Sequence, residues 1–336
     1  MTLAHGKIPI DILERVIFKN LGAKREEVVL GPSAGIDGAV INAGGKSLIV
    51  SMDPITGATD RIGWLAVNIN ANDIATFGVE PSFLLSCMML PENTDTALIE
   101  TISNQMNEAA KDLNIAIVGG HCEVTPGISH PIVVCCVMGI TERGNYVTAA
   151  GAKPNDKIIM TKSAGIEGTA ILASDREKQL KNAMTTSELS KAKTYFNSIS
   201  VVKEAITAYK KGGVNAMHDP TESGVLGGIY EMAAASNLGV DISEEKIPVQ
   251  AETAKICRHF RIDPLQLVAS GALLISAKPA AADKIIESLN QKKVPASIIG
   301  QFLKNLGKRT LTRKDGSVQA LQSPTSDHLW KALVQK

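Results

Sequence analysis

Short apolar runs recur along the whole chain, each cut off by glycine, proline or aspartate, and only scattered stretches between them keep helical spacing. That punctuation restricts the fold to layered mixtures of sheet and helix, because such runs are too short for buried helices and too apolar for loops. In the first half the strand candidates are Ala39–Ile41, Ser47–Met52, Phe83–Met89, Ile115–Val118 and Ile132–Ile140. Between them, Asp95–Leu113 places Leu98, Ile99, Ile102, Met106, Ala109 and Leu113 on one helical face, with Asn93 or Thr94 as the cap after Pro91. A second helix is expected over Arg61–Phe77, stopped by Gly78 and Pro81.

The polar stretch Thr148–Asp156 carries glycine and proline, and the pattern restarts behind it, which sets two α+β units at 1–150 and 151–336. The second half reads strand Lys157–Thr161, a glycine loop, then helices Gly168–Ala173 and Val201–Lys211. Strand Val214–Met217, helix Val225–Ala235, strand Val240–Ile242 and helix Ala251–His259 follow, then strand Ala272–Ser276, helix Pro279–Leu289 and strand Ala296–Phe302. Asp315-Gly316 marks a hairpin. The 35 Lys+Arg against 34 Asp+Glu leave no long-range field for a polyanion, so nucleic acid and anionic membranes are not expected as partners. No uncharged apolar run has the length of a membrane span, and the start shows no signal core, so a cytoplasmic location is expected. The cysteines Cys87, Cys122, Cys135, Cys136 and Cys257 contain no CxxC pair and read as reduced thiols; Cys122 is expected to be a small buried residue.

Four aspartates end apolar runs or sit in glycine-flanked turns: Asp37 in GIDGAVI, Asp53 in LIVSMDP, Asp73 in NINANDIATFG and Asp219 in AMHDPTESG. Each alone fits an Asx-turn or helix cap more readily than a ligand role. Together at sheet rims they are what a Mg²⁺–nucleotide site needs, since Mg²⁺ takes one or two carboxylates and completes its shell with water and phosphate. Asn72-Asp73 lies inside an expected helix where neither residue is a good former, a local conflict that points to function. In GGHCEVTPG the pair Gly119-Gly120 allows close backbone approach. The sharp turn expected there would project His121, as acid/base or phosphate contact, and Glu123, as metal ligand or base. TKSAGIEGTAIL offers Lys162 and the loop Gly165–Gly168 as an anion nest, though ordinary packing uses such loops too. GGKS at Gly44–Ser47 reads as a hairpin turn, not a phosphate loop.

In this order the segments GKIP, GIDGAVI, VSMDP, NDIATFGVEP, GGHCEV, TKSAGIEGTAIL, AMHDPTESGV and PLQLVASGALLIS resemble the aminoimidazole ribonucleotide (AIR) synthase, or PurM, superfamily. The resemblance covers nearly the whole chain and is nearest to HypE and the AIR synthase-related proteins. It implies a PurM-like chain with an N-terminal α+β domain, a C-terminal α/β domain and a homodimer whose N-terminal strands share a barrel, with ATP and Mg²⁺ at the interface. By motif match Asp37, Asp53 and Asp73 would be metal carboxylates, with Asn72 beside them and Glu123 a further candidate. Asp219 would match the aspartate of the family's DPTRGG element, and Gly165–Gly168 its glycine loop. Lys7 would lie in a segment that folds over nucleotide.

Three departures stand out. The DPTRGG arginine is Glu222 here, His121 follows the paired glycines where kinase and synthetase members carry an acid, and the HypE terminal cysteine has no counterpart in LWKALVQK. The expected function is phosphoryl transfer from Mg·ATP to a carbonyl or amide oxygen of a small substrate or partner group. The alternatives are a non-catalytic nucleotide-binding factor in hydrogenase-type metallocentre assembly, with a maturation partner protein, and a thiamine-phosphate-kinase-like enzyme.

Overall fold

Turn chemistry and face alternation set the first sheet. The structure, a computed structural model, describes residues 6–33, 35–57, 59–323 and 326–335. Strand β1 (Val28–Leu30) pairs with β2 (Ala39–Ala43), and Gly44 and Gly45, both at positive φ, turn β2 into β3 (Lys46–Ile55), as the hairpin reading required. Helix α1 (Ile62–Thr76), β4 (Pro81–Leu90), α2 (Thr96–Asp112), β5 (Ala116–Val124) and β6 (Ile132–Glu142) complete the first half. The sheet order is β1-β2-β3-β6-β4-β5, antiparallel except for the β4–β5 pair.

One face of this sheet is covered by α1 and α2. Ile49 of β3, Leu84 of β4 and Val133, Cys135 and Val137 of β6 pack there against Ile62, Ala66, Ile74, Ile102 and Met106. Asp95, not Asn93 or Thr94, caps α2, its carboxylate accepting the Leu98 N–H at 2.9 Å. Asn93 and Thr94 belong to the turn before it, with Asn93 at φ 65°.

The second half begins after a short turn at Ala149–Gly151. Its elements are β7 (Lys157–Thr161), α3 (Ile166–Asp175), α4 (Thr186–Lys193), α5 (Val202–Lys211), β8 (Val214–His218), α6 (Gly224–Ala235), β9 (Gly239–Ser243) and α7 (Ala251–Phe260). After them come β10 (Leu274–Ala277), α8 (Pro279–Gln291), β11 (Ala296–Leu303), β12 (Arg309–Thr312), β13 (Val318–Ala320) and α9 (His328–Val334). The seven strands run β13-β12-β9-β11-β7-β10-β8. Helix α6 covers one face through Ile229 and Met232 against Ile158, Met160 and Phe302, while α5 and α8 cover the other through Ala205, Ile285 and Leu289 against Ile159, Met217 and Ile275. A strand apolar on both sides, such as β7, is stable only in such a double cover. Helices α4 and α9 had no expected counterpart.

Helix α1 is buried along nearly its whole length. Ile62, Ala66 and Ala71 belong to the first-half core, while Leu65 and Ile69 pack with Ile166 and Leu172 of α3. A helix buried on every side must be enclosed on every side, its few polar groups satisfied from within, and this one is the seam between the two halves. Among the described residues no helix is long and apolar enough to cross a membrane.

Candidate active site

The rim of β3, the middle of α1, the loop before β2 and the end of β8 converge on a single cluster of carboxylates. Asn70 of α1 clamps the backbone of Asp53, accepting its N–H at 2.7 Å and donating to its carbonyl at 3.2 Å. One turn along the same helix, Asp73 is 4% exposed and meets the Ser51 hydroxyl at 2.7 Å. Ser51 Oγ also lies 2.6 Å from the Asp37 carbonyl. A hydroxyl has one hydrogen, so both bonds exist together only if Ser51 donates to Asp37 and a protonated Asp73 donates to Ser51. The electrostatics agree: burial, then the charges of Asp219, Asp53 and Asp37, push the Asp73 carboxyl well above its ordinary pKa.

Asp37 Oδ2 lies 2.8 Å from Nδ1 of His218, the last residue of β8, and Glu231 of α6 lies 2.9 Å from its Nε2. Burial disfavours a charged ring, but Asp37 and Glu231 outweigh it and hold the His218 pKa well above the ordinary histidine value. The two carboxylates that flank the ring thus favour its protonated form. Asp219 follows His218, 1% exposed, with neither carboxylate oxygen hydrogen-bonded among the described residues. Burial, then the Asp37 charge, drive its pKa well up. Ligand atoms of Asp37, His218 and Asp219 lie within 4.8 Å of one another.

Lys7 reaches this cluster from the N-terminal segment. Its ammonium donates to Thr221 Oγ1 at 3.1 Å and its backbone N–H to Glu222 Oε2 at 2.9 Å. Crowding opposes its charge, yet Glu231, Asp53, Asp37 and Glu222 together raise its pKa. Glu222, where the family element has arginine, thus holds the Lys7 segment over the carboxylates. Asp53 is raised chiefly by burial, with Lys7 opposing and Asp37 and Glu222 adding.

The other expected site residues lie elsewhere or are engaged by the fold. Asn72 is fully buried, donating to the Ile199 carbonyl at 3.0 Å and accepting the Val201 N–H at 2.8 Å, so its amide ties α1 to the second half. Lys162 is ion-paired with Glu204 at 2.5 Å and donates to the carbonyls of Ser198 and Ser200; burial lowers its pKa against the pull of Glu204. Gly165 opens α3 at φ 66°, and a Cβ on Gly168 would stand 2.4 Å from Leu267, so close helix packing accounts for both glycines.

The sharp turn expected at Gly119–Gly127 is strand β5 as far as Val124. Gly119 and Gly120 lie inside it, and a Cβ on Gly120 would fall 2.0 Å from the Ser86 carbonyl of β4, so close strand pairing explains that glycine. His121 and Glu123 stand on this exposed edge, 3.2 Å apart, with Thr125 donating to Glu123 at 2.8 Å. Strands β6 and β4 separate them from the Asp53 strand, roughly 14 Å at ~4.8 Å per strand. Cys122, expected to be buried, is exposed on β5, the edge strand of the sheet.

His218 and Glu231 were not singled out in the sequence. Signals existed: His218 abuts Asp219 at a strand end, and Glu231 is the lone charge in the apolar helix GVLGGIYEMAAA.

Comparison with known proteins fits this geometry. Residues 35–141 match the AIR synthase related protein, N-terminal domain, and residues 153–309 the corresponding C-terminal domain. A putative hydrogenase expression/formation protein of Methanocaldococcus jannaschii is 30% identical over 90% of this chain and 89% of its own. A carbamoyl dehydratase HypE of Rhizobium leguminosarum is 25% identical over 80% of this chain and 77% of its own. Among solved structures, a HypE–HypF complex superposes with TM-score 0.78 at 22% identity, covering 93% of this chain and 99% of that one. A HypE in complex with ATP gives 0.73 at 20% identity, covering 98% of each. Matching models over both halves, with a relative 30% identical along nine-tenths of the chain, make this protein a member of the AIR synthase-related (PurM) family on its HypE-like side.

Proposed function

We propose that the chain is a cytoplasmic, Mg²⁺- and ATP-dependent enzyme of HypE type, which phosphorylates a carbonyl or amide oxygen of a small substrate or partner group and so activates it for loss of phosphate. The observation that carries this reading is Asp219, whose two buried oxygens, near Asp37, Asp53 and Asp73, have no hydrogen-bond partner among the described residues. A carboxylate set short of positive charge suits a hard divalent cation. Asp37, Asp53, Asp73 and Asp219 would hold Mg²⁺, which supplies charge neutralisation for the phosphates, while Lys7 lies where it can close over nucleotide. Relatives named carbamoyl dehydratase and a HypE crystallised with ATP support the same chemistry. Catalysis of this kind rests on positioning and charge compensation and needs no protein nucleophile. A partner resembling the one in the HypE–HypF complex would deliver the group to be activated.

Saturating Mg·ATP at ~100 times its dissociation constant is expected to stabilise the fold by about 2.7 kcal/mol, a rise of several degrees in melting temperature. An unchanged melting curve with Mg²⁺ and ATP, ADP or a non-hydrolysable analogue would falsify the nucleotide reading. A non-catalytic nucleotide-binding factor is the second reading, favoured by Glu222, which puts an acid in the place of the family arginine. Retained binding without turnover would select it.

The same reading includes a homodimer. The face of the first sheet away from α1 and α2 is apolar and bare: Met52, Leu85 and Ile140 on it are 64%, 40% and 50% exposed. β5, with Ile117, Val118 and Val124 exposed, leaves one edge unpaired. A second copy is the cover that serves both, since contiguous apolar surface and open strand edges are otherwise aggregation sites. His121, paired with Cys87 in the strand register, would then stand at the interface. Light scattering should give twice 35.6 kDa at micromolar concentration, and a particle of 35.6 kDa would exclude the dimer.

A further inference from the structure

The His218 ring is held the way a metal-bound histidine is held, and the magnesium reading leaves it unused. Its Nε2 faces Glu231 at 2.9 Å and its Nδ1 faces Asp37 at 2.8 Å. With Glu231 accepting the Nε2 hydrogen, the neutral ring turns the lone pair of Nδ1 towards Asp37. Asp219, the next residue, is 1% exposed, and among the described residues neither of its oxygens has a hydrogen-bond partner. A buried carboxylate without donors is costly unless a cation satisfies it. Two donors about 2.1 Å from one ion stand ~3.0 Å apart at right angles and ~4.2 Å apart when opposed. The Asp37 and His218 atoms are already close to the first spacing, and the ligand atoms of Asp37, His218 and Asp219 all lie within 4.8 Å of one another.

We propose that Asp37, His218 through Nδ1 and Asp219 form a site for a first-row transition-metal dication, bound without nucleotide and in preference to Mg²⁺, with Glu231 as the positioning residue that fixes the ring. The proposal deepens the metal reading above and shares its Asp37 and Asp219; Asp53 and Asp73 stay with the Mg²⁺ of the nucleotide. On binding, the ion takes the place of the Nδ1 proton, which leaves to solvent, and the Nε2 hydrogen stays on Glu231. Asp37, Asp219 and Glu231 are three carboxylates around one ring. A protonated imidazole answers them with one positive charge, where the dication brings two.

The class of ion follows from the donors. Mg²⁺ takes oxygen ligands and keeps its waters, whereas imidazole beside carboxylates suits the ions from Mn²⁺ to Zn²⁺. A carboxylate on the outer ring nitrogen sets both the tautomer and the orientation of such a ligand, which is the place Glu231 occupies. Asp37 and Glu231 have side chains 14% and 27% exposed against 2% for the ring, so the site lies one side chain below the surface and is entered past them. A second histidine–carboxylate pair, His121 and Glu123, is 66% and 49% exposed on the edge strand β5 and serves as the contrast.

The test uses the full chain freed of metal by chelation, without nucleotide, and Mn²⁺ as the probe. Titration followed by EPR should show one Mn²⁺ per chain, held at least ~10-fold more tightly than Mg²⁺ in competition. Pulsed EPR should show nitrogen modulation on the bound ion, with frequencies that change when histidine is ¹⁵N-labelled. Asp219→Asn, which keeps shape and removes a charge, should weaken Mn²⁺ by ~10-fold or more, and Glu231→Gln by about 10-fold. His218→Gln should remove the nitrogen signal, and if that variant does not fold, His121→Ala keeps the question open to measurement: it should leave both affinity and modulation unchanged. The proposal is overturned if Mn²⁺ binds no more tightly than Mg²⁺, if bound Mn²⁺ shows no nitrogen modulation, if Asp219→Asn binds it like wild type, or if His121→Ala loses the signal. Nitrogen-ligated Mn²⁺ in a protein whose melting curve ignores Mg·ATP would break the nucleotide reading and leave this site standing.

Discussion

His218→Gln should destabilise the metal-free protein by about 3 kcal/mol or more, the expected cost of breaking a buried charge group by removing its central partner. The ring is 2% exposed and bridges Asp37 and Glu231, whose side chains are 14% and 27% exposed, so its loss leaves two carboxylates facing each other with little water between. Lys7, on the exposed N-terminal segment, is a weak substitute. Because the folded pKa of His218 is raised, its contribution is whole below the ordinary histidine value of about 6.5, persists through neutrality and fades as pH rises through the raised value. Urea unfolding of both proteins across that range measures it. A difference below about 1 kcal/mol at pH 7 would mean that the ring is neutral and the bridge is only a pair of ordinary hydrogen bonds.

Asp53 and Asp219 follow apolar runs whose direction strand pairing sets, Asp37 sits in a glycine-flanked turn and Asp73 stands against the grain of its helix, and those four local patterns are legible in the sequence. Glu231 is not, because a lone charge in an apolar helix has the same signature whether it faces solvent or a buried partner, and only the docking of α6 on β8 decides. His121 and Glu123 were read as a turn because paired glycines usually break strands; here Gly120 is required inside one, under the Ser86 carbonyl. Asn72 illustrates the opposite limit. Its poor helix propensity was a sound signal of a special role, but that role in this fold is to join two halves of the chain through the backbone of Ile199 and Val201. Helix α4 carries a start signal in the capping box of Thr185 and Glu188, but with only Leu189 and Ala192 buried it has too few apolar positions to show a helical stripe.

Asp73→Asn separates metal binding from folding within a single residue. Mg·ATP affinity should fall by ~1–3 kcal/mol, the scale of a lost charge-assisted contact. The free protein should become more stable, because an asparagine amide donates to Ser51 permanently, where Asp73 must hold a proton to do so. The sign follows from the raised pKa: below the unfolded value of about 3.9 wild type carries no penalty, and the penalty grows as pH rises toward the folded value. The gain from Asp73→Asn should therefore open above about pH 4 and be largest in alkaline buffer. Calorimetric titration with Mg·ATP and thermal melts over pH 4–9 measure both quantities. A variant that melts lower yet binds Mg·ATP like wild type would make Asp73 a structural residue and remove it from the metal set.

Helix α1 gives this molecule a particular relation between its parts. Two sheets in series look like interchangeable modules, the kind that gene fusion and shuffling exchange freely. Here the segment that supplies the first half with its core also packs into the core of the second, through Leu65 and Ile69, while Asn72 completes the backbone bonding of the 199–201 stretch and Asp73 serves the carboxylate cluster. The halves are therefore not separable modules: a substitution on the sheet side of α1 must also be accommodated on the α3 side, and parting the chain between the two sheets would open both cores at once.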